Sequence, residues 1–271
     1  EDLAEILHEA FHVATSGRPG PVVVDIPKDV QFATGTYTPP KSSTASQRYQ
    51  PPRVNRDPGR IRAAVELMAS AKRPVFYTGG GVINSGPHAS AALRRLQALT
   101  GAPVTSTLMG LGAFPADHPD WLGMLGMHGT LEANMVMNEC DVMVCIGARF
   151  DDRVTGRLDA FSPHSTKIHI DIDRASINKV VPVDLGIVGD CGTVLEQLIA
   201  GWGDMRGRDL GEWKARIAGW RARDCLAFPH RKDALMPQLA VQRLYEMTRE
   251  RQPIITTEVG QHQMWAAQYF G

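Results

Sequence analysis

Four short segments carry residues whose types and spacing could bind a charged ligand. Gly79-Gly80-Gly81 follows the apolar run Val75–Tyr77. Glycines at the carboxyl end of a buried parallel strand let backbone approach a ligand closely. Asn84 stands where the third glycine of a G-x-G-x-x-G loop would be, so a tight turn without a ligand is the other reading. Gly147-Ala148-Arg149-Phe150-Asp151-Asp152-Arg153 follows a second apolar run. Arg149 and Arg153 offer planar donor forks suited to phosphate or carboxylate. Asp151 and Asp152 could instead neutralise them in a surface ion-pair cluster. Ile170-Asp171-Ile172-Asp173 closes a third run with two acids, which either accept from ribose hydroxyls or cap a turn. Gly189-Asp190 closes a fourth, where Asp190 is an N-cap or a contact to a nucleotide. Jointly these four strand ends favour a nucleotide-type cofactor.

Three further segments are weaker signals alone. Thr107-Leu108-Met109-Gly110-Leu111-Gly112 and Met124-Leu125-Gly126-Met127-His128-Gly129 are small, apolar and Met-rich. Such segments fill cores or underlie a flat apolar ring. His128 by itself reads as a structural or exposed histidine. Gly260-Gln261-His262-Gln263 sits at a strand-to-helix turn, where free backbone N–H groups suit a phosphate.

The elements that must hold these residues follow from periodicity. Strands are expected at Pro74–Thr78, Pro103–Thr107, Asp141–Ile146, Lys167–Ile172 and Gly186–Val188, with helical patterns at His88–Leu99 and Leu131–Glu139 between them. Asp190 opens a last helix bearing Val194, Leu195, Leu198 and Trp202. Short, wholly apolar strands alternating with helices indicate an α/β fold with a doubly wound parallel sheet. Upstream, Leu3, Ile6, Leu7, Ala10, Phe11 and Ala14 repeat at helical spacing, and Pro21–Pro27 reads as a short strand. Residues 41–56 read as a linker by composition. Asp57-Pro58 then supplies an N-cap and a first-turn proline. Trp213, Ile217 and Trp220 mark a connecting helix packed on a neighbour. A helix over Gln238–Glu250 and a strand over Pro253–Thr257 open another unit. The resulting division is 1–40, 41–56, 57–200, 201–235 and 236–271.

Composition narrows the functional classes. Lys and Arg total 29, matched by 29 Asp and Glu in 271 residues. A net charge of zero excludes broad electrostatic capture of nucleic acid or an anionic membrane as the main activity. No apolar run reaches the roughly 18 residues of a membrane span. Cys140, Cys145, Cys191 and Cys225 form neither a Cys-x-x-Cys pair nor a zinc-type pattern, and read as buried small apolar residues.

Longer runs carry a resemblance. Ser16–Pro21, Val24–Asp29, Ser106–Gly112, Met124–Thr130, Gly147–Gly156 (GARFDDRVTG), His169–Asp173 (HIDID) and Val259–Ala267 (VGQHQMWAA) resemble the catalytic large subunits of acetolactate synthases. The resemblance runs from Glu1 to Gly271. It implies three α/β domains, with residues 1–40 similar to the end of the pyrimidine-binding domain. Residues 57–200 resemble the central FAD-binding domain, and residues 236–271 the start of the diphosphate-binding domain. It implies thiamine diphosphate, Mg²⁺ and FAD as cofactors. The implied reaction condenses two pyruvates to 2-acetolactate with release of CO₂, or pyruvate with 2-oxobutanoate to 2-aceto-2-hydroxybutanoate. Both serve branched-chain amino-acid synthesis, and FAD has no net redox role. A homodimer or homotetramer, a regulatory small subunit and a bacterial cytoplasmic setting are implied as well, with organellar targeting left open.

Position by position, the resemblance assigns Arg18, Gly79, Gly80, Gly81, Thr107, Leu108, Met109, Leu125, Gly126, Met127, His128, Gly147, Arg149, Asp171, Ile172, Gly189 and Asp190 to FAD. It assigns Val259, Gly260, Gln261 and His262 to the thiamine diphosphate tail. Lys28, Met127, Asp152 and Arg153 are similar to residues of the substrate channel. The resemblance places the family's activating glutamate upstream of Glu1 and its Gly-Asp-Gly…Asn metal motif downstream of Gly271, and Gly189-Asp190-Cys191 does not replace that motif because Cys191 breaks the pattern. No catalytic acid, base or metal ligand is therefore assigned, and the expectation is an internal fragment that is inactive alone. The competing expectation is a stand-alone nucleotide- or FAD-binding regulatory module without catalysis.

Overall fold

The computed structural model describes residues 2–40, 57–251 and 253–270. The expected linker, 41–56, lies outside them. Two helices precede it, α1 (Leu3–Thr15) and α2 (Lys28–Phe32). The central region starts as Asp57 and Pro58 dictate. The Asp57 carboxylate accepts from the Gly59 N–H at 2.9 Å, and Pro58 occupies the first turn of α3 (Pro58–Ser70). One face of α3, carrying Ile61, Ala64, Val65 and Met68, is buried.

Six strands follow: β1 (Pro74–Thr78), β2 (Val104–Ser106), β3 (Trp121–Met124), β4 (Val142–Ile146), β5 (Thr166–Asp171) and β6 (Leu185–Val188). All pair in parallel, in the order β3-β2-β1-β4-β5-β6. The chain winds outward from β1 one way and from β4 the other, so strand order reverses between β1 and β4. The helices between them are α4 (Gly80–Ser85), α5 (Pro87–Thr100), α6 (Leu131–Glu139) and α7 (Asp152–Thr155), and α8 (Cys191–Trp202) and α9 (Gly211–Arg221) follow β6.

Every residue of β1 and β4 is buried, as a sheet covered on both faces requires. Phe76, Val144, Ile146, Ile168 and Ile170 pack on one face with α3, α5 and α8. Val75, Tyr77, Met143 and Cys145 point the other way, toward α6 and α9. Trp213, Ile217 and Trp220 of α9 are buried there, and the Trp213 indole donates to the Pro74 carbonyl at 3.2 Å. The expected connecting helix is thus part of the second layer. Beyond it lie α10 (Pro237–Thr248) and α11 (Gln261–Tyr269).

Four expectations need correction. Residues 21–27 and 253–257 belong to no strand. Their side-chain pattern suits a strand, but a strand exists only through a ladder with a neighbour, and no described segment pairs with either. β3 has no counterpart among the expected strands, because Gly123 (φ +82°) interrupts a four-residue run. Gly79–Gly81 is not a loop: Gly79 caps α4, and Gly80 and Gly81 form its first turn. Cys140, Cys145 and Cys191 are buried, whereas Cys225 is exposed.

Candidate functional site

The strand ends converge at the β1–β4 crossover, where open parallel sheets bind ligands. The ladder continues past each strand through glycine N–H groups. Gly79 donates to Ile146 at 2.9 Å, Gly81 to Gly147 at 3.0 Å, Gly147 to Ile170 at 2.8 Å, and Gly189 to Asp171 at 2.9 Å. Gly79, Gly81 and Gly147 are needed because backbone meets backbone. A Cβ on Gly79 would lie 2.4 Å from the Gly147 carbonyl oxygen, and one on Gly81 would lie 2.6 Å from the Gly147 Cα. Gly147 also has φ +64°, which favours glycine. Gly79 and Gly81 therefore spend their N–H groups on the Ile146 and Gly147 carbonyls and their missing side chains on the Gly147 turn, before any ligand is considered.

Above this seam lies a cavity of about 720 Å³. Of the residues assigned to FAD, Arg18, Gly80, Gly81, Thr107, Leu108, Met109, Gly147, Arg149, Asp171, Ile172 and Asp190 line it. Arg153, assigned to the substrate channel, lines it too. The first wall comes from the segment after α1. Arg18 reaches across to the end of β5, with Nη1 3.5 Å from both Asp173 Oδ2 and Ser176 Oγ. The second is the Leu108–Gly110 turn, capped by the Thr107 hydroxyl, which accepts from the Gly110 N–H at 3.1 Å. The third is the 147–153 segment. Arg149 pairs with Asp151, whose other oxygen accepts from the Arg153 N–H at 3.1 Å. That N–H is the main reason the Asp151 carboxyl sits below its usual range. Asp190 caps α8, accepting from the Thr193 N–H at 3.0 Å.

Asp171 is 8% exposed, and its carboxylate accepts from the Asp173 N–H at 2.8 Å. Burial raises its pKa, opposed by that N–H and by the Arg18 charge. His169 is fully buried, and burial lowers its pKa to about 4. Its Nε2 lies 3.8 Å from Asp171 but 2.8 Å from the Ala148 carbonyl. We read a neutral imidazole donating to Ala148 and no ion pair, since burial drives both partners toward their uncharged forms.

The remaining assigned residues lie outside the cavity. Gly79 and Gly189 sit beneath it in the backbone seam. Leu125, Gly126, Met127 and His128 form the turn after β3, pinned by the Met127 N–H to the Arg153 carbonyl at 2.9 Å. Gly126 has φ +92°, and a Cβ there would meet that same carbonyl oxygen at 2.6 Å. Asp152 begins α7. Lys28 begins α2, with Nζ 5.8 Å from the Phe32 ring centroid. Val259, Gly260, Gln261 and His262 lie at the start of α11. That helix meets the turn after β3 through Gln268, which donates to the His128 carbonyl at 2.9 Å.

Tyr77, Asn84, Ser85, Ala148, Asp151 and Cys191 also line the cavity and were not assigned from the sequence. Tyr77 and Cys191 read as core residues because one ends an apolar strand and the other starts a helix. Asp151 lies in the Gly147–Arg153 motif, where its expected role is only to neutralise an arginine. Burial pushes the Cys191 thiol up to about 12, so it enters the cavity as an unreactive, protonated group.

Comparison with known proteins adds two findings. The family described as "Thiamine pyrophosphate enzyme, central domain" matches residues 61–198. The whole chain aligns with the acetolactate synthase isozyme 3 large subunit of Escherichia coli (strain K12), 42% identical over 274 residues and covering 47% of that protein. It is 43% identical over 277 residues to a probable acetolactate synthase large subunit of Methanocaldococcus jannaschii, covering 46% of it. It is 42% identical over 277 residues to acetolactate synthase 3, chloroplastic, of Brassica napus, covering 41%. The chain spans about half the length of the curated relatives it matches.

Proposed function

The chain belongs to the thiamine pyrophosphate enzymes through their central domain, and from that premise we propose that it forms the cofactor-holding middle of an acetolactate synthase large subunit. The observation that carries this reading is identity of about two residues in five along the entire chain to such subunits. In this reading the protein takes part in condensing two pyruvates to 2-acetolactate, or pyruvate with 2-oxobutanoate. Residues 57–200 act as an FAD-binding domain between parts of two others, as the expected boundaries have it. Subunit association, a regulatory small subunit and a bacterial cytoplasmic setting belong to the same proposal.

The cavity suits FAD on its own terms. Its volume falls within the roughly 300–1,000 Å³ typical of ligand pockets. Gly80 and Gly147 leave backbone bare along one side. Arg18 and Arg149 bring donor forks for a diphosphate, and Asp171 and Asp190 bring acceptors for hydroxyl groups. Thr107, Leu108 and Met109 offer a small apolar wall for a flat ring. Thiamine diphosphate, when bound with Mg²⁺, supplies the decarboxylating chemistry. The segment Val259–His262 would meet its diphosphate tail, and the metal ligands are assigned to no residue of this chain. Arg153, at the cavity edge beside the 125–128 turn, is placed to hold the carboxylate of a 2-oxoacid. Lys28, Met127 and Asp152 are proposed to border the same channel.

The test replaces the corresponding segment of a full-length relative with residues 1–271. A chimera that folds, retains FAD and forms 2-acetolactate from pyruvate is expected. A folded chimera that holds no flavin and forms no product would overturn the proposal.

A further inference from the structure

Tyr77 is the last residue but one of β1, beside the point where strand order reverses. In register it stands next to Cys145 of β4, which stands next to His169 of β5. This row lies under the 147–153 segment. The Tyr77 ring packs against Phe150 with centroids 5.7 Å apart, and Phe150 in turn meets His169 at 5.0 Å. Two members of the row spend their donors on one acceptor. His169 Nε2 donates to the Ala148 carbonyl at 2.8 Å, and the Cys145 thiol donates to it at 3.2 Å. Both lone pairs of that oxygen are thereby used.

The third member has no such outlet. The Tyr77 side chain is fully buried, and its hydroxyl has no hydrogen-bond partner among the described residues. The nearby Asp151 carboxylate is engaged by Arg149 and by the Arg153 N–H. Phenylalanine would fill the same apolar site without leaving a polar atom unsatisfied, so packing alone does not account for the hydroxyl. Yet Tyr77 lines the cavity together with Ala148, Arg149 and Asp151. The hydroxyl has no accessible surface of its own, so an acceptor from the cavity side reaches this donor only as that wall shifts.

We infer that the Tyr77 hydroxyl is a binding group of this cavity, donating its proton to an acceptor atom of the dinucleotide cofactor. The inference rests on the FAD reading above and adds a contact to it. Burial holds the phenol well above its ordinary pKa, so it remains a donor throughout the physiological range.

Tyr77→Phe removes the hydroxyl and keeps the ring. Flavin-fluorescence titration of the protein should show FAD affinity reduced about three- to tenfold, the loss of one hydrogen bond. The thermal midpoint of the flavin-free protein should stay the same or rise. Unchanged FAD affinity overturns the inference, as does a fall in the flavin-free midpoint, which would assign the hydroxyl to internal structure. Arg149→Ala, titrated alongside, separates the two layers of argument. If Arg149→Ala weakens FAD while Tyr77→Phe does not, only the tyrosine contact fails. If the parent protein takes up no FAD, the reading of the cavity fails with it.

Discussion

His169 lies wholly inside the protein and donates to the carbonyl of Ala148, the residue that follows Gly147. Its Nδ1 has no partner among the described residues, so protonation would bury an unpaired charge. The folded-state pKa of about 4 lies below the ordinary value of 6.5. Between those values the unfolded chain binds a proton that the folded chain does not. Stability is therefore complete above pH 6.5 and falls as pH drops through this window, by about 3 kcal/mol in all. Asp171, whose pKa is raised by burial, works in the opposite sense just above the ordinary carboxylate value. His169→Gln keeps a donor for Ala148 and removes the titration. Urea midpoints at pH 7 and pH 4.5 should fall further apart in the parent than in the variant; equal spacing would refute the assignment. The sequence showed His169 only as part of HIDID. Its burial depends on the register of β5 against β4, which no local pattern specifies.

Among the elements, α9 departs most from its sequence reading. Tryptophans at helical spacing announced a helix that packs on something. They did not announce that its partner is the second face of the sheet, because that face is built by strands more than sixty residues upstream. The expected boundary at residue 200 places α9 in a connector. The packing of Leu210, Trp213, Ile217 and Trp220 with Val75, Met143 and Cys145 makes it half of a layer. Trp213 and Trp220 meet edge to face at 5.7 Å, and Arg216 lies 5.4 Å above the Trp220 ring. Removing the Trp213 ring should cost about 3–5 kcal/mol, as for other large buried aromatic side chains. Chemical denaturation of Trp213→Ala checks this. A loss under about 1 kcal/mol would restore α9 to the role of a tether. By contrast, β1, β4, α3 and α8 were legible almost to the residue. The apolar runs of β1 and β4 are unbroken, and Asp57 and Asp190 each signal a helix start through a side chain that does cap it.

At the scale of the whole molecule, charge neutrality extends into the cavity. Three arginines, Arg18, Arg149 and Arg153, line it together with three aspartates, Asp151, Asp171 and Asp190. Two of the arginines are already paired, with Asp173 and Asp151. An anionic dinucleotide approaching such a site meets no net attraction beyond the first few ångströms, because opposite charges spaced this closely cancel at a distance. Recognition must then come from short-range geometry: bare glycine backbone, oriented forks, and acceptors at the ends of β5 and β6. Added salt screens interactions beyond roughly 10 Å at 0.1 M and leaves such contacts nearly intact. The association rate of FAD, followed by flavin quenching in stopped flow, should therefore change by less than about threefold between 50 and 500 mM salt. A fall of more than tenfold would mean that a long-range positive field draws the cofactor in. The balance of arginine and aspartate around the cavity would then be the wrong account of how this fold captures an anion.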